Sequence, residues 1–105
     1  MPPNCDMKGY LRFLILLLLN KSPLSGVELA CEIGKRKGSR PSPGTIYPAL
    51  KELKRKEFIM EAKNSEKNKM YILTEKGKTE LGKQCEIFCR TFYDLIEQME
   101  AIRIQ

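Results

Sequence analysis

The sequence contains no histidine and no tryptophan. Histidine has the ordinary pKa closest to neutral pH, and it is the commonest general base and metal ligand in proteins. Its absence argues against most hydrolytic and zinc-dependent enzymes, and the sequence shows no other nucleophile or metal-binding motif. We therefore predict that the protein is not an enzyme and that it has no cofactor.

Long apolar segments are also missing. The longest run, Phe13 to Leu19, has seven residues, whereas a helix that crosses a bilayer needs about 20. No small-residue cleavage site follows this run, as it would in a signal peptide; the next residues are Asn20-Lys21-Ser22-Pro23. We expect a cytoplasmic protein with no membrane partner.

The four cysteines include no C-x-x-C pair, so they do not form a typical metal-binding motif. In the cytoplasm they should be reduced thiols. Cys85 and Cys89 are four residues apart, which places them on one face of a helix. Ordinary packing of these two thiols and a redox or metal-sensing role between two copies of the chain both remain open.

Positive charge is concentrated in one segment of this 105-residue chain, whose formal net charge is +6. Residues 35–56 carry eight basic side chains and one acidic one, so that this segment accounts for the whole excess. Such a patch is typical of a protein that binds a polyanion. A solvated face that only keeps the protein in solution is the alternative.

Three helices are predicted in the first half of the chain. Residues 7–20 are apolar nearly all round, which predicts a buried helix. Ser25 with Glu28 three residues later predicts a capping box at the start of a second helix, and Gly34 and Gly38 predict its end. A third helix should follow, over residues 42–57.

The start of this third helix carries a Ser-Pro pair, with Ser42 at the N-cap and Pro43 at the first helical position. Apolar residues recur at helical spacing from Ile46 to Leu53 and define an inner face. The opposite face is small and polar at its start and basic further along.

A β-hairpin is predicted next, with strands at residues 58–62 and 69–73 and a polar, lysine-bearing turn at 63–68. Thr74 should cap a long last helix. Its apolar stripe has alternating spacings of four and three residues over three heptads, which is typical of a helix that pairs with another helix. The stripe consists of Leu81, Cys85, Phe88, Phe92, Leu95, Met99 and Ile102.

This order of elements predicts a mainly α fold with a small β-hairpin (α+β), namely a winged helix-turn-helix followed by a long C-terminal dimerisation helix. We divide the chain into a DNA-binding domain at residues 1–74 and a dimerisation helix at 75–105. The small residues that open the third helix allow close approach to the DNA major groove, and its lysines and arginine reach bases or phosphates.

Three segments carry a family resemblance. The run from Arg40 to Leu50, RPSPGTIYPAL, resembles the recognition-helix signature of the PadR family of transcriptional regulators. Residues 71–77, YILTEKG, resemble the family's Y-x-L-T-x-x-G at the end of the wing, and residues 22–29 resemble its GPLHGYEI segment, with Ser25 and Val27 as departures. The resemblance covers roughly residues 11–82.

The resemblance implies a winged-helix repressor that is dimeric through its C-terminal helix and is often released by a small ligand. It also implies that Tyr47 contacts DNA, although a half-buried tyrosine that supports the helix is the alternative. Some relatives bind aromatic ligands through a tryptophan at the dimer interface, and that mode does not carry over to a chain without tryptophan.

We predict a homodimeric repressor that binds an inverted-repeat operator in double-stranded DNA; a small apolar effector at the dimer interface stays open. A winged-helix module that binds an acidic protein and never reads DNA is the alternative. The predicted DNA contacts are Arg40, Ser42, Gly44, Thr45, Tyr47, Pro48, Lys51, Lys54, Arg55, Lys67 and Lys69. The predicted dimer contacts are Leu14, Leu18 and the seven residues of the C-terminal stripe.

Overall fold

The first helix lies at the centre of the fold. The structure, a computed structural model, describes residues 7–62 and 69–104. Helix α1 (Met7–Lys21) packs against the next three helices and against the sheet. Ile15 and Leu16 are completely buried, which agrees with a helix predicted to be apolar nearly all round.

Helix α2 (Gly26–Lys37) begins with the predicted capping box. The Glu28 N–H donates to Ser25 Oγ at 3.1 Å, and the Ser25 N–H donates to Glu28 Oε1 at 3.0 Å. These two bonds satisfy backbone donors that the first turn of a helix leaves free. Gly34 was predicted to help end this helix, but it lies inside it, and the left-handed cap is Gly38 with φ 84°.

Helix α3 (Pro43–Arg55) follows after a short connection and packs against α1 and α2. Its inner face of Ile46, Leu50 and Leu53 is buried in the core, as the periodicity predicts. The helix ends two residues earlier than expected. Lys56 forms the C-cap, and Glu57 takes a positive φ of 66°, which turns the chain into the hairpin.

The sheet has three antiparallel strands in the order β1 (Leu24–Ser25), β3 (Met70–Leu73), β2 (Ile59–Ala62). Strands β2 and β3 form the predicted hairpin, with Ile59 opposite Leu73 and Ala62 opposite Met70. The two-residue strand β1 was not predicted, because a strand of this length shows no periodicity. It pairs with β3 and ties the start of α2 to the wing.

The C-terminal region is where the fold differs most from the prediction of one continuous helix. Helix α4 (Glu75–Phe92) is followed by a 3₁₀ turn at Tyr93–Leu95 and then by α5 (Ile96–Arg103). Thr74 caps α4 as predicted, because its Oγ1 accepts the Gly77 N–H at 2.9 Å.

The described helices also bear on the membrane prediction. Over residues 7–62 and 69–104, no helix combines the length and the apolar character that crossing a bilayer requires. The fold class is the predicted one: a helical chain with a small antiparallel sheet, arranged as a winged helix.

Candidate nucleic-acid interface

The outer face of α3 and the hairpin beside it form one exposed polar surface. Ten of the predicted DNA contacts lie in described segments, and all ten are exposed. They are Arg40, Ser42, Gly44, Thr45, Tyr47, Pro48, Lys51, Lys54, Arg55 and Lys69. Lys67 lies outside the described residues, as does the whole turn at 63–68.

The first turn of α3 has no side-chain cap. Ser42 occupies the predicted N-cap position, but its Oγ lies 3.2 Å from Thr45 Oγ1 and not on a backbone N–H. Pro43 has no N–H, and the Thr45 N–H donates to the Ser42 carbonyl at 2.9 Å, so within residues 43–45 the Gly44 N–H is the one left for an acceptor. An unpaired N–H at a helix N-terminus favours a negatively charged acceptor such as a phosphate.

The glycine in this turn is not required by packing inside the protein. A methyl group at Gly44 would find only Ser42 Oγ, at 3.8 Å. The absence of a side chain therefore leaves room on the outside of the helix, where a bound molecule can approach its backbone.

Tyr47 lies on the same surface and packs over the start of α2. A methyl group at Gly26 would lie 2.8 Å from Tyr47 Cε1 and 3.0 Å from its hydroxyl oxygen. Gly26 therefore allows the ring to lie against α2 while 45% of the tyrosine remains exposed. Both the predicted DNA contact and the supporting role suit this position.

Glu52 holds two of the basic side chains on α3. Arg55 donates from Nε to Glu52 Oε2 at 3.1 Å and from a second nitrogen to Oε1, and Lys56 Nζ lies 3.9 Å from Oε1. The hydrogen bond from Arg55 is the main reason that the pKa of Glu52 is lowered, so the carboxylate stays ionised. Lys51, by contrast, has no ion pair within residues 7–62 and 69–104.

Glu61 connects α3 to the wing. Its Oε1 accepts a hydrogen bond from Lys54 Nζ at 3.0 Å and lies 3.7 Å from Lys69 Nζ. The hydrogen bond from Lys54 is the largest cause of a lowered pKa at Glu61. Tyr71 on β3 is buried, and burial raises the pKa of its hydroxyl, which therefore stays protonated.

Sequence reasoning did not identify the roles of Gly26, Glu52 and Glu61. The only available signal for Glu52 was its place three residues before Arg55 and four before Lys56, the spacings at which helical ion pairs form. Nothing in the sequence pairs Glu61 with Lys54, because that contact depends on how the hairpin folds back on α3.

The predicted dimer contacts divide into three groups by their exposure. Leu14, Leu18 and Leu81 are buried in the core of the single chain, with at most 9% of each residue exposed. These three predicted dimer contacts pack within a single chain, because an apolar stripe does not reveal which of its members the same chain already covers. Cys85 and Phe92 are partly buried.

The remaining stripe residues lie on the surface. Phe88, Leu95, Met99 and Ile102 are between 40% and 63% exposed. Phe88 stacks on Phe13 of α1 with ring centroids 5.5 Å apart and lies 4.7 Å from Phe92. Further exposed apolar side chains extend this surface; they are Ile87, Tyr93, Ile96 and Ile104.

Cys31 and Cys89 are exposed free thiols, and Cys85 is a partly buried one. Among the described residues, no group of three or more histidine, cysteine or acidic side chains is arranged to hold a metal ion.

Comparison with known proteins yields one family and several similar structures. The model of the PadR-like family of transcriptional regulators matches residues 15–83. No curated protein sequence matches the chain. A PadR family transcription regulator from Clostridium difficile is 26% identical with a TM-score of 0.69, covering 86% of this chain and 97% of its own.

Two further structures extend the comparison. A PadR-like transcription factor from Bacteroides fragilis is 29% identical with a TM-score of 0.68, covering 91% of this chain and 92% of its own. Bacillus subtilis PadR, solved in complex with operator DNA, is 33% identical with a TM-score of 0.65 over 72% of this chain and 46% of its own.

Proposed function

This chain belongs to the PadR-like family of transcriptional regulators, and on that premise we propose that it is a homodimeric repressor that binds an inverted-repeat operator. It is a DNA-binding regulator and not an enzyme. The observation that carries the proposal is the outer face of α3, which is exposed, small at its start and basic beyond.

In this proposal α3 enters the major groove. The Gly44 N–H in the uncapped first turn approaches a phosphate, and the Thr45 hydroxyl and methyl groups reach base edges. Lys51 lies on the same face and contacts a base or a phosphate. The other contacts on α3 are Tyr47, Pro48, Lys54 and Arg55, and Arg40 adds one from the segment before the helix. Lys67 and Lys69 of the wing contact the flanking DNA backbone.

The division of the chain that supports this function is residues 1–74 for DNA binding and 75–105 for dimerisation. The support for a dimer is the exposed apolar surface of α4 and α5, since soluble monomers rarely expose large contiguous apolar patches. Two copies paired there would present two recognition helices to successive major grooves, about 34 Å apart.

The same surface is where we propose that a small apolar effector acts. Phe88 and Met99 are exposed there, and the methionine side chain adapts readily to different neighbours. An effector inserted between the two copies changes the distance between the two recognition helices, and operator binding depends on that distance.

Reversing charge on α3 tests the reading face. The Lys51→Glu, Arg55→Glu double variant should bind duplex DNA about 100-fold more weakly, since each lost contact costs on the order of 1–3 kcal/mol. The matched control is Lys78→Glu, Lys83→Glu on α4, which makes the same change in net charge and should lose much less affinity. Equal losses in the two variants would contradict the assignment of α3, and unchanged binding in both would favour a module that binds protein.

A further inference from the structure

Glu61 is, with Glu52, one of two acidic residues that pair with basic side chains on the surface proposed to bind a polyanion. It lies on β2, an edge strand of the sheet, and its carboxylate accepts a hydrogen bond from Lys54 of α3. The two side chains that it holds, Lys54 and Lys69, come from the recognition helix and from the wing, the two elements proposed to contact DNA.

We propose that Glu61 limits the affinity of the protein for DNA of any sequence by competing with phosphates for Lys54 and Lys69. The inference rests on the proposed function. A phosphate that approaches either lysine must displace or share the carboxylate, so each contact neutralises less of the DNA charge than a free lysine would.

A second interpretation is that the ion pairs of Glu61 have a structural role and hold the wing against α3. The exposure of the three side chains favours competition with phosphate over a supporting role for Glu61. All three side chains are substantially exposed, with 52% of Lys54, 71% of Lys69 and 32% of Glu61 accessible. Exposed ion pairs contribute little to rigidity or stability, because water screens them and ordering two flexible side chains has an entropic cost. Phosphate binding responds directly to each available cation.

Under this proposal, Glu61 controls the part of the affinity for DNA that does not depend on sequence. Phosphate contacts carry no base information, whereas the proposed base contacts come from the start of α3, which Glu61 does not touch. A genome offers a vast excess of non-operator sites. Restraining two lysines therefore reduces the time that the regulator spends on the wrong DNA.

The test is Glu61→Gln, with binding to a random-sequence duplex measured across a salt titration. Gln keeps the size of the side chain and removes the charge. Each lysine that is freed should steepen the slope of log K against log salt by up to about 0.9, and binding at 100 mM salt should tighten by roughly 2–5-fold, because the exposed ion pairs that are lost are weak. Glu61→Thr, which keeps a good strand former at this position, should give the same gain.

Glu75→Gln is the matched control. It makes the same change in net charge and also frees one lysine, since Glu75 Oε1 lies 3.2 Å from Lys78 Nζ, but it does so at the start of α4. The slope of log K against log salt for Glu75→Gln should equal that of the wild-type protein. In a Lys54→Gln, Lys69→Gln background, Glu61→Gln should no longer tighten binding.

Three results would overturn the inference: a Glu61→Gln slope equal to that of Glu75→Gln, weaker binding by both Glu61 variants, or a gain that persists without the two lysines. Failure of the proposed function itself looks different, because wild-type protein would then not bind duplex DNA at any salt concentration, and the inference would fall with it.

Discussion

Gly77 lies where the hairpin, the start of α4 and the turn after α3 meet. The Thr74 N–H donates to the Phe58 carbonyl at 3.0 Å, and Thr74 Oγ1 donates to the Glu57 carbonyl at 2.6 Å. A methyl group at Gly77 would lie 2.0 Å from that same Phe58 oxygen. These contacts explain the Thr-x-x-Gly spacing. Thr74 makes the hydrogen bonds to the turn after α3, and Gly77 leaves room for the Phe58 carbonyl to lie close to α4.

Gly77→Ala should therefore destabilise the protein by about 2–3 kcal/mol, because backbone atoms and not a flexible side chain oppose the added methyl group. Urea denaturation followed by circular dichroism measures the change in the free energy of unfolding.

Gly82 of the same helix provides the control. It has open space where a methyl group would go, so Gly82→Ala should stabilise the protein by about 0.5–1 kcal/mol through helix propensity alone. Similar effects of the two substitutions would mean that the contact at Gly77 is not a tight one.

At the residue scale, the sequence predicts local chemistry better than tertiary partners. The caps at Ser25 and Thr74 were predictable, because their hydrogen bonds join residues three positions apart. The partner of Glu61 was not predictable, since Lys54 lies on another element. Gly26 gave no signal of its contact with Tyr47, because a glycine shows neither charge nor periodicity.

Within the C-terminal region, the break between α4 and α5 was not predictable either, because nothing in the local sequence marks it. A heptad pattern continues through residues 92–96, and neither glycine nor proline stands there to mark a change. An apolar stripe indicates which side chains are kept from water. A 3₁₀ turn can preserve that stripe and still change the direction of the helix axis. The exposed side chains of α5 therefore retain the character expected of an interface.

Met99→Glu should convert a dimer into a monomer. Met99 is 53% exposed on α5, and Ile102, three residues later, shares its face. A carboxylate placed between two copies would lose its hydration without a partner, which is costly in an apolar interface. Sedimentation equilibrium at micromolar concentration measures the change.

The control is Ala101→Glu, which introduces the same side chain on the opposite side of α5 and should remain dimeric. A monomeric wild-type protein, or equal dissociation of the two variants, would contradict the assignment of this surface.

For the whole molecule, the winged-helix architecture was predictable because its elements occur in a fixed order with marked boundaries. Helix periodicity, two capping signals and a hairpin with a polar turn leave few topologies open. The concentration of basic residues in one segment also predicted the exposed surface. What the sequence left open is the pairing of charges across that surface and the distinction between core and interface within the apolar stripes.

Selection of bound sequences from random duplex DNA, followed by a salt titration of the enriched sequence, shows whether the protein is a dimeric, sequence-specific regulator. A homodimer that reads the major groove should enrich an inverted repeat with half-sites about 10 base pairs apart, centre to centre, and affinity should fall steeply with salt. Salt-sensitive binding without any enriched sequence, or enrichment of a single half-site, would contradict a dimeric sequence-specific regulator.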